Sequence, residues 1–277
     1  WGSSLIYESS TYSIGAPTAS TSSGVNWNDK TIDLADIDGD GDLDVISASY
    51  DADTIAWHEN NGAGSFITSV IATNTDGASS VFVADIDGDG DLDVVSASYN
   101  DDTIAWYENN GAADPSFTKA VIATTSDGAK DVKVADIDGD GDLDIVSASQ
   151  NDNTIAWYEN NGAADPTWTA ADITTSAGGA SDVFIADIDS DGDLDIISAE
   201  KNNNMVAFYE NNGASDPAFT KAVIATAYSK VQVFVGDIDG DGDLDVASGS
   251  ENNDYIAWYE NQGAAGNHLL TIADVTT

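Results

Sequence analysis

Asp136-Ile137-Asp138-Gly139-Asp140-Gly141-Asp142-Leu143-Asp144 places five carboxylates in nine residues. Left alone, such a cluster repels itself. A hard cation such as Ca²⁺ takes about six to eight oxygen ligands, and alternate side chains around a tight loop supply several of them at once. Gly141, the sixth position, allows the sharp turn. An EF-hand loop would end on a bidentate Glu at its twelfth position, where this chain has Ser147. The next residues, Ile145-Val146-Ser147-Ala148-Ser149, form a short β-branched run that reads as a strand and not as an exiting helix. The stretch is therefore a cation-binding loop between two strands.

The nonapeptide occurs five times, beginning at Asp36, Asp85, Asp136, Asp187 and Asp237, with spacings of 49, 51, 51 and 50 residues. Around each copy the same order recurs. An alternating strand (Asp131-Val132-Lys133-Val134-Ala135) leads into the loop, and a second strand and an Asn/Asp turn (Asn151-Asp152-Asn153) come after it. Then come Thr154-Ile155-Ala156-Trp157-Tyr158-Glu159, an Asn-Asn-Gly turn, and a fourth strand such as Phe117-Thr118-Lys119-Ala120-Val121-Ile122-Ala123. Four short strands per repeat of this length predict an all-β fold, a β-propeller of four-stranded blades. The chain reads as one propeller domain over residues 1–277, with repeats at 26–75, 76–126, 127–177, 178–227 and 228–277. Residues 1–25 supply closing or partial-blade strands.

Composition excludes several function classes. Lys and Arg total 7 against 50 Asp and Glu, a formal charge of −43, and all the basic residues are Lys. Nucleic acid requires a basic surface, and an anionic membrane is disfavoured for the same reason. There is no cysteine, which rules out thiol chemistry. No run reaches transmembrane length. The chain opens at Trp1 without Met or a signal-peptide pattern, which reads as a mature or trimmed product whose targeting segment is gone.

The Asp-x-Asp-x-Asp-Gly-x-x-Asp hairpin, repeated at this period from about Gly24 to the C-terminus, resembles FG-GAP/VCBS-type repeats, the blades of integrin-α-like propellers. In that family the side chains at loop positions one, three, five and nine ligate Ca²⁺, with the main-chain carbonyl of position seven. The resemblance thus implies about five Ca²⁺ ions. The ligand sets it implies are Asp36, Asp38, Asp40 and Asp44 with Asp42 at position seven; Asp85, Asp87, Asp89 and Asp93 with Asp91; Asp136, Asp138, Asp140 and Asp144 with Asp142. The last two are Asp187, Asp189, Asp191 and Asp195 with Asp193, and Asp237, Asp239, Asp241 and Asp245 with Asp243. Ser190 replaces a Gly at a non-ligand position, so the fourth site should still bind. The Phe-Gly and Gly-Ala-Pro signatures of the integrin branch are absent, and integrin-like partner choice is not implied.

Identical loops in every repeat favour a structural metal over an active centre. Trp57, Trp106, Trp157, Phe208 and Trp258 could stack on sugars, but one aromatic per repeat at one place in one strand favours packing between blades. His58 stands in the slot of Tyr107, Tyr158, Tyr209 and Tyr259 and, like His268, reads as structural. Glu59, Glu108, Glu159, Glu210 and Glu260 recur once per blade and read as architecture. Enzymes need one group set apart in a tuned environment, and this chain offers little such asymmetry. Departures from the repeat, at Tyr50, Tyr99, Lys201, Met205 and Tyr228-Ser229-Lys230, mark the candidate ligand face.

Five blades leave the N-terminal residues over. Leu5-Ile6-Tyr7-Glu8 resembles a third strand and Tyr12-Ser13-Ile14 a fourth, while His268-Leu269-Leu270-Thr271-Ile272 looks like the last blade's fourth strand. The ends could close a five-bladed ring, form an incomplete sixth blade, or belong to a fragment of a longer propeller; an unclosed arc would leave strand edges able to pair with another chain, as self-assembly through terminal strands. The expected function is that of a secreted or cell-surface, non-enzymatic, calcium-stabilised module for recognition, adhesion or surface assembly. Its partners would be proteins or glycans of the cell surface or matrix. The alternative is a lectin-like module or the accessory propeller of a secreted carbohydrate-active enzyme.

Overall fold

A computed structural model describes residues 31–226, 230–250, 255–263 and 271–274. They form five four-stranded antiparallel sheets in which sequence neighbours pair in order. In blade three the strands are Ala129–Ala135, Asp144–Ser149, Thr154–Asn160 and Trp168–Thr174. The acidic nonapeptide connects the first strand to the second in every blade, as the sequence predicts. The terminal stretch 1–25 lies outside the described residues, as do the three residues Tyr228, Ser229 and His268.

The last blade's fourth strand is described over Thr271–Asp274, so Thr271 and Ile272 of the expected stretch lie in it while residues 268–270 lie outside the described residues, and its register sets Thr271 opposite Glu260. Thr169 faces Glu159 and Thr220 faces Glu210 in the same way, so Thr271 fills the Thr slot of the repeat.

The second and third strands carry the core, and in blades two to four both faces of each are covered by neighbouring blades. Blade one contributes Ile37, Ile46, Ile55 and Trp57, which pack on Val81, Val94, Ala105 and Tyr107 of blade two. The same layer recurs between blades two and three, three and four, and four and five. Ile46, Ile55, Ile104 and Ile155 are fully buried, and burying one such side chain is worth roughly 1.5–3 kcal/mol. Trp57, Trp106, Trp157 and Phe208 lie in these layers, so the once-per-blade aromatic packs between blades.

The innermost strands are stitched by hydrogen bonds from one blade to the next. Thr31 Oγ1 accepts from Val81 N at 3.0 Å, Ser80 Oγ from Val132 N at 3.4 Å, Asp131 Oδ2 from Val183 N at 3.1 Å and Asp182 Oδ2 from Val233 N at 2.6 Å. These acceptors occupy one position of the repeat, and the position is free to vary because any side-chain oxygen of suitable reach suffices. Beside them, Lys133 Nζ binds Asp131 at 2.7 Å. Burial opposes the charge on Asp131, but the Lys133 ammonium wins and holds its carboxyl below the usual range. Burial, then the Asp131 carboxylate, pushes Asp182 up to about 8. Phe82, Phe184 and Phe234 line the same inner cavity, of about 540 Å³.

The strands run between two ends of the molecule. One end carries all five acidic loops together with the Asn-Asn-Gly turns. The other carries the turns between second and third strands, where Asp53, Asp102, Asn153 and Asn204 adopt left-handed φ of 51–63°. Asp53, Asp102 and Asn153 reach from these turns to the next link, accepting from Gly77, Gly128 and Gly179 N at 2.8–2.9 Å.

Candidate metal centres

Five carboxylate clusters face one end of the molecule. In blades one to three the oxygens of loop positions one, three and five converge: Asp36, Asp38 and Asp40; Asp85, Asp87 and Asp89; Asp136, Asp138 and Asp140, each set within 4.8 Å. In blades four and five the converging sets are Asp187, Asp189 and Asp195, and Asp237, Asp239 and Asp245, so that position nine joins and position five stands aside. Positions one and three thus converge in every blade, and position five or position nine completes the trio.

The loop backbone wraps these groups. Asp36 accepts from Asp40 N at 3.0 Å through Oδ1 and from Gly41 N at 2.9 Å through Oδ2. Position three accepts from position five, as in Asp138 Oδ1 with Asp140 N at 3.2 Å, and position five from position seven, as in Asp140 Oδ1 with Asp142 N at 2.9 Å. Gly41, Gly90, Gly141, Gly192 and Gly242 turn at φ of 98–102°, which a side chain would strain. The fourth position is also left-handed, and there Ser190 holds φ 60° where the other loops have Gly.

Position seven points elsewhere. The carboxylates of Asp42, Asp91, Asp142 and Asp193 lie over Gly62, Gly111, Gly162 and Gly213 of the Asn-Asn-Gly turns, and that of Asp243 over Gly263 of the Asn-Gln-Gly turn in blade five, where any Cβ would collide with them. These side chains therefore brace the neighbouring turn, and they are absent from the converging trios.

Position nine is the buried anchor. Asp144 is 1% exposed; its Oδ1 accepts from Asn160 N at 2.8 Å and its Oδ2 from Ile137 N at 3.2 Å. In blade one Trp57 Nε1 adds a bond to Asp44 Oδ2 at 2.9 Å. The indoles of Trp106 and Trp157 close no bond of that geometry and only oppose the larger rise that burial imposes on Asp93 and Asp144. Burial pushes the carboxyls of Asp93 and Asp195 up to about 7 and that of Asp144 to about 6, against the pull of the Asn N–H groups. At position three, Asp38, Asp87 and Asp138 are also raised, by burial first and then by the neighbouring carboxylates. Carboxyls raised because their charges are dehydrated and crowded are groups whose ionised form a bound cation would favour.

A residue that the motif alone does not expose links the loops. Asn109 donates Nδ2 to Leu92 O of its own loop at 3.0 Å and to Ile37 O of the preceding blade's loop at 3.2 Å. Asn160, Asn211 and Asn261 repeat the clamp onto Ile86, Ile137 and Ile188 at 2.8–3.1 Å. The signal was an Asn after the once-per-blade Glu, with its partner some seventy residues away.

His58 meets two hydroxyls: its Nε2 pairs with Ser47 Oγ and its Nδ1 with Thr68 Oγ1, both at 2.9 Å. Burial lowers its pKa. Tyr259 meets Ser248 from the same slot at 3.1 Å. Tyr50 and Tyr99 sit at the end opposite the acidic loops, their OH groups bonded to Asn100 and Asn151 at 3.0 and 2.9 Å.

Among solved structures, an Agrocybe aegerita lectin that recognises non-reducing terminal N-acetylglucosamine is 22% identical, with a TM-score of 0.57 over 90% of this chain and 66% of that one. The V. cholerae biofilm matrix protein Bap1 is 18% identical, with a TM-score of 0.51 over 89% of this chain and 39% of that one. A periplasmic gluconolactonase of Pseudomonas aeruginosa is 14% identical, with a TM-score of 0.57 over 86% and 69%. At these identities the likeness is one of fold. This chain spans just under two thirds of the lectin chain and well under half of Bap1. No curated protein matches the sequence. The FG-GAP-like repeat family matches residues 36–96, 85–147, 136–198 and 187–248, each match running from one acidic loop through the next; the chain belongs to that family.

Proposed function

We propose that this protein is an extracellular, calcium-stabilised propeller module that recognises or assembles with other molecules and carries out no catalysis. The observation that supports it most is the division of labour between its two ends. Five carboxylate trios in corresponding loops occupy one end, while Tyr50, Tyr99 and Lys201, where the repeats differ, occupy the turns at the other. Repeated sites serve the framework, and differences serve selectivity.

The donor set is all oxygen, which suits Ca²⁺ or Mg²⁺ and not a thiolate- or imidazole-seeking metal. Ca²⁺ accepts about six to eight oxygens in flexible geometry, which suits loops whose closest trios differ from blade to blade better than the near-ideal octahedron that Mg²⁺ demands. Asp136, Asp138, Asp140 and Asp144, with their counterparts, would hold the Ca²⁺. The bound ion would supply positive charge that lets the crowded carboxylates ionise. Calcium loops of this kind favour an extracellular setting, where free Ca²⁺ is abundant.

A lectin-like reading stands second, favoured by the likeness to a glycan-recognising fold. A glycan array run in calcium, beside a lactonase assay, separates these readings. The assembly reading expects neither glycan retention nor turnover. Specific glycan retention would select the lectin-like reading, and calcium-dependent lactone hydrolysis at enzymatic rates would overturn both.

A further inference from the structure

The groove between successive blades is filled differently from one pair to the next. In blade two Tyr107 pairs with Lys119 across the third and fourth strands, and in blade four Tyr209 pairs with Lys221. Each ammonium lies over its tyrosine ring, Nζ standing 5.7 Å and 5.3 Å from the ring centres, within reach of a cation–π contact. Lys119 Nζ also donates to Asn74 O of the preceding link at 3.3 Å, and Lys221 Nζ to Glu200. In blade three the same register sets Ala170 opposite Tyr158. Blade three therefore lacks the stem and the ammonium that the blades on either side supply.

A cavity of about 490 Å³ lies there between blades two and three, toward the end opposite the acidic loops, and ligand sites have this size. Ala123 and Ala156 give it an apolar wall, and Tyr158 and Ser126, hydrogen-bonded to each other at 2.8 Å, a polar one. Two carboxylates also line it. Asp152 stands in the place of Asp101 of blade two; burial raises the pKa of both, and in blade two the Lys119 ammonium offsets part of that rise. Asp172 pairs with Ala156, in a place where blades one, two and four have Val70, Val121 and Val223. Relative to blade two, the groove of blade three has thus lost a positive charge, Lys119, and gained a negative one, Asp172.

We propose that this cavity binds a primary alkylammonium group, free or carried on a lysine side chain of another protein, in the place that Lys119 and Lys221 fill in the adjoining blades. The ammonium lies over the Tyr158 ring with Asp152 and Asp172 as its counter-ions, and its alkyl stem runs along Ala156 and Ala170. A neutral group of the same length gains the apolar wall but neither the carboxylates nor the cation–π contact. The site depends on its own lining alone, so it stands apart from the glycan and assembly readings.

The test is NMR titration of the full chain in calcium and about 0.15 M salt, which screens the diffuse pull of the −43 charge. The probes are n-butylammonium, Nα-acetyl-lysine N-methylamide and, as the neutral control, 1-butanol. Both ammonium probes should saturate one site at about 1 mM, and 1-butanol should bind about tenfold more weakly. Ala170→Lys, which refills the groove as blades two and four do, should abolish ammonium binding without lowering the melting temperature. Asp172→Val restores the residue of the sister blades at an exposed position, and it should weaken ammonium binding about threefold while leaving that of 1-butanol unchanged. A lysine amide that binds more tightly than n-butylammonium assigns the site to a protein-borne lysine, and the reverse order assigns it to a free amine. No saturable binding of either ammonium up to about 20 mM overturns the proposal. So does binding that survives Ala170→Lys, binding unmoved by Asp172→Val, or an equal affinity for 1-butanol.

Discussion

The side-chain amide of Asn160 donates to the main-chain carbonyl of Ile86 at 3.1 Å, across the boundary between blades two and three. Ile86 is the second residue of one acidic loop, and Asn160 also holds Asp144, the ninth residue of the next, through its backbone N–H at 2.8 Å. Neighbouring loops are thus one connected structure. Replacing Asn160 by Ala strands the buried carbonyls of Ile86 and Leu143, at a cost of about 1–3 kcal/mol for each one left unsatisfied. Thermal melts should fall accordingly, and calcium titrations should show the second and third sites weakened together. A loss confined to the third site would mean that the clamp transmits nothing.

The loop, its period and the strand order were legible because each rests on local signals: crowded carboxylates, alternation, turn residues. The carboxylates that converge in each loop belong to the same motif, whereas the turn-bracing role of Asp142 and its counterparts was not legible, since Gly162 lies twenty residues on. The Asn clamp and the inner row from Thr31 to Asp182 were not legible. Their partners belong to other blades, and an Asn or a Thr carries no distance information until the repeats are stacked.

Blade four breaks the repeat with a buried network. Glu200, fully buried, accepts from Lys221 Nζ at 2.6 Å, Tyr209 OH at 2.7 Å and Asn203 Nδ2 at 2.7 Å. Blade three has Ser149 and Ala170 in the places of Glu200 and Lys221. Lys221→Ala should therefore cost about 3–5 kcal/mol by leaving a buried carboxylate without its cation. The double change Glu200→Ser with Lys221→Ala, which restores the blade-three pair, should recover most of that loss in chemical denaturation. Additive losses would contradict this coupling.

Ser190 holds a left-handed φ of 60° that a side chain makes costly. Ser190→Gly should stabilise blade four by up to about 1 kcal/mol, the relief of strain exceeding the added freedom of the unfolded chain. Gly139→Ser, the reverse change in blade three, should destabilise by a similar amount. Denaturation midpoints in saturating calcium measure both.

Without metal, stability should fall as pH rises from about 4 to 7. Asp93 and Asp195, held near 7, and Asp144, near 6, keep protons in the folded state that an unfolded carboxyl, with a pKa of about 3.9, has already lost. Folding is then favoured below the unfolded value and loses support as pH passes through the folded one. Calorimetry of calcium-stripped protein should show this slope, Asp144→Asn should flatten it, and saturating calcium should remove it. A melting temperature that rises with pH in the stripped protein would be the opposite sign.

If cations at the five acidic loops hold the fold together, chelation must lower the melting temperature, and bound metal counted on the same samples ties the two changes to each other. About five calcium ions per chain and a sharp fall in melting temperature on their removal are expected, since each site filled at a hundredfold excess over its dissociation constant adds about 2.7 kcal/mol. An unchanged melt in protein shown to have lost its metal, or a chain that binds no calcium at millimolar concentration, would contradict a structural role for these loops.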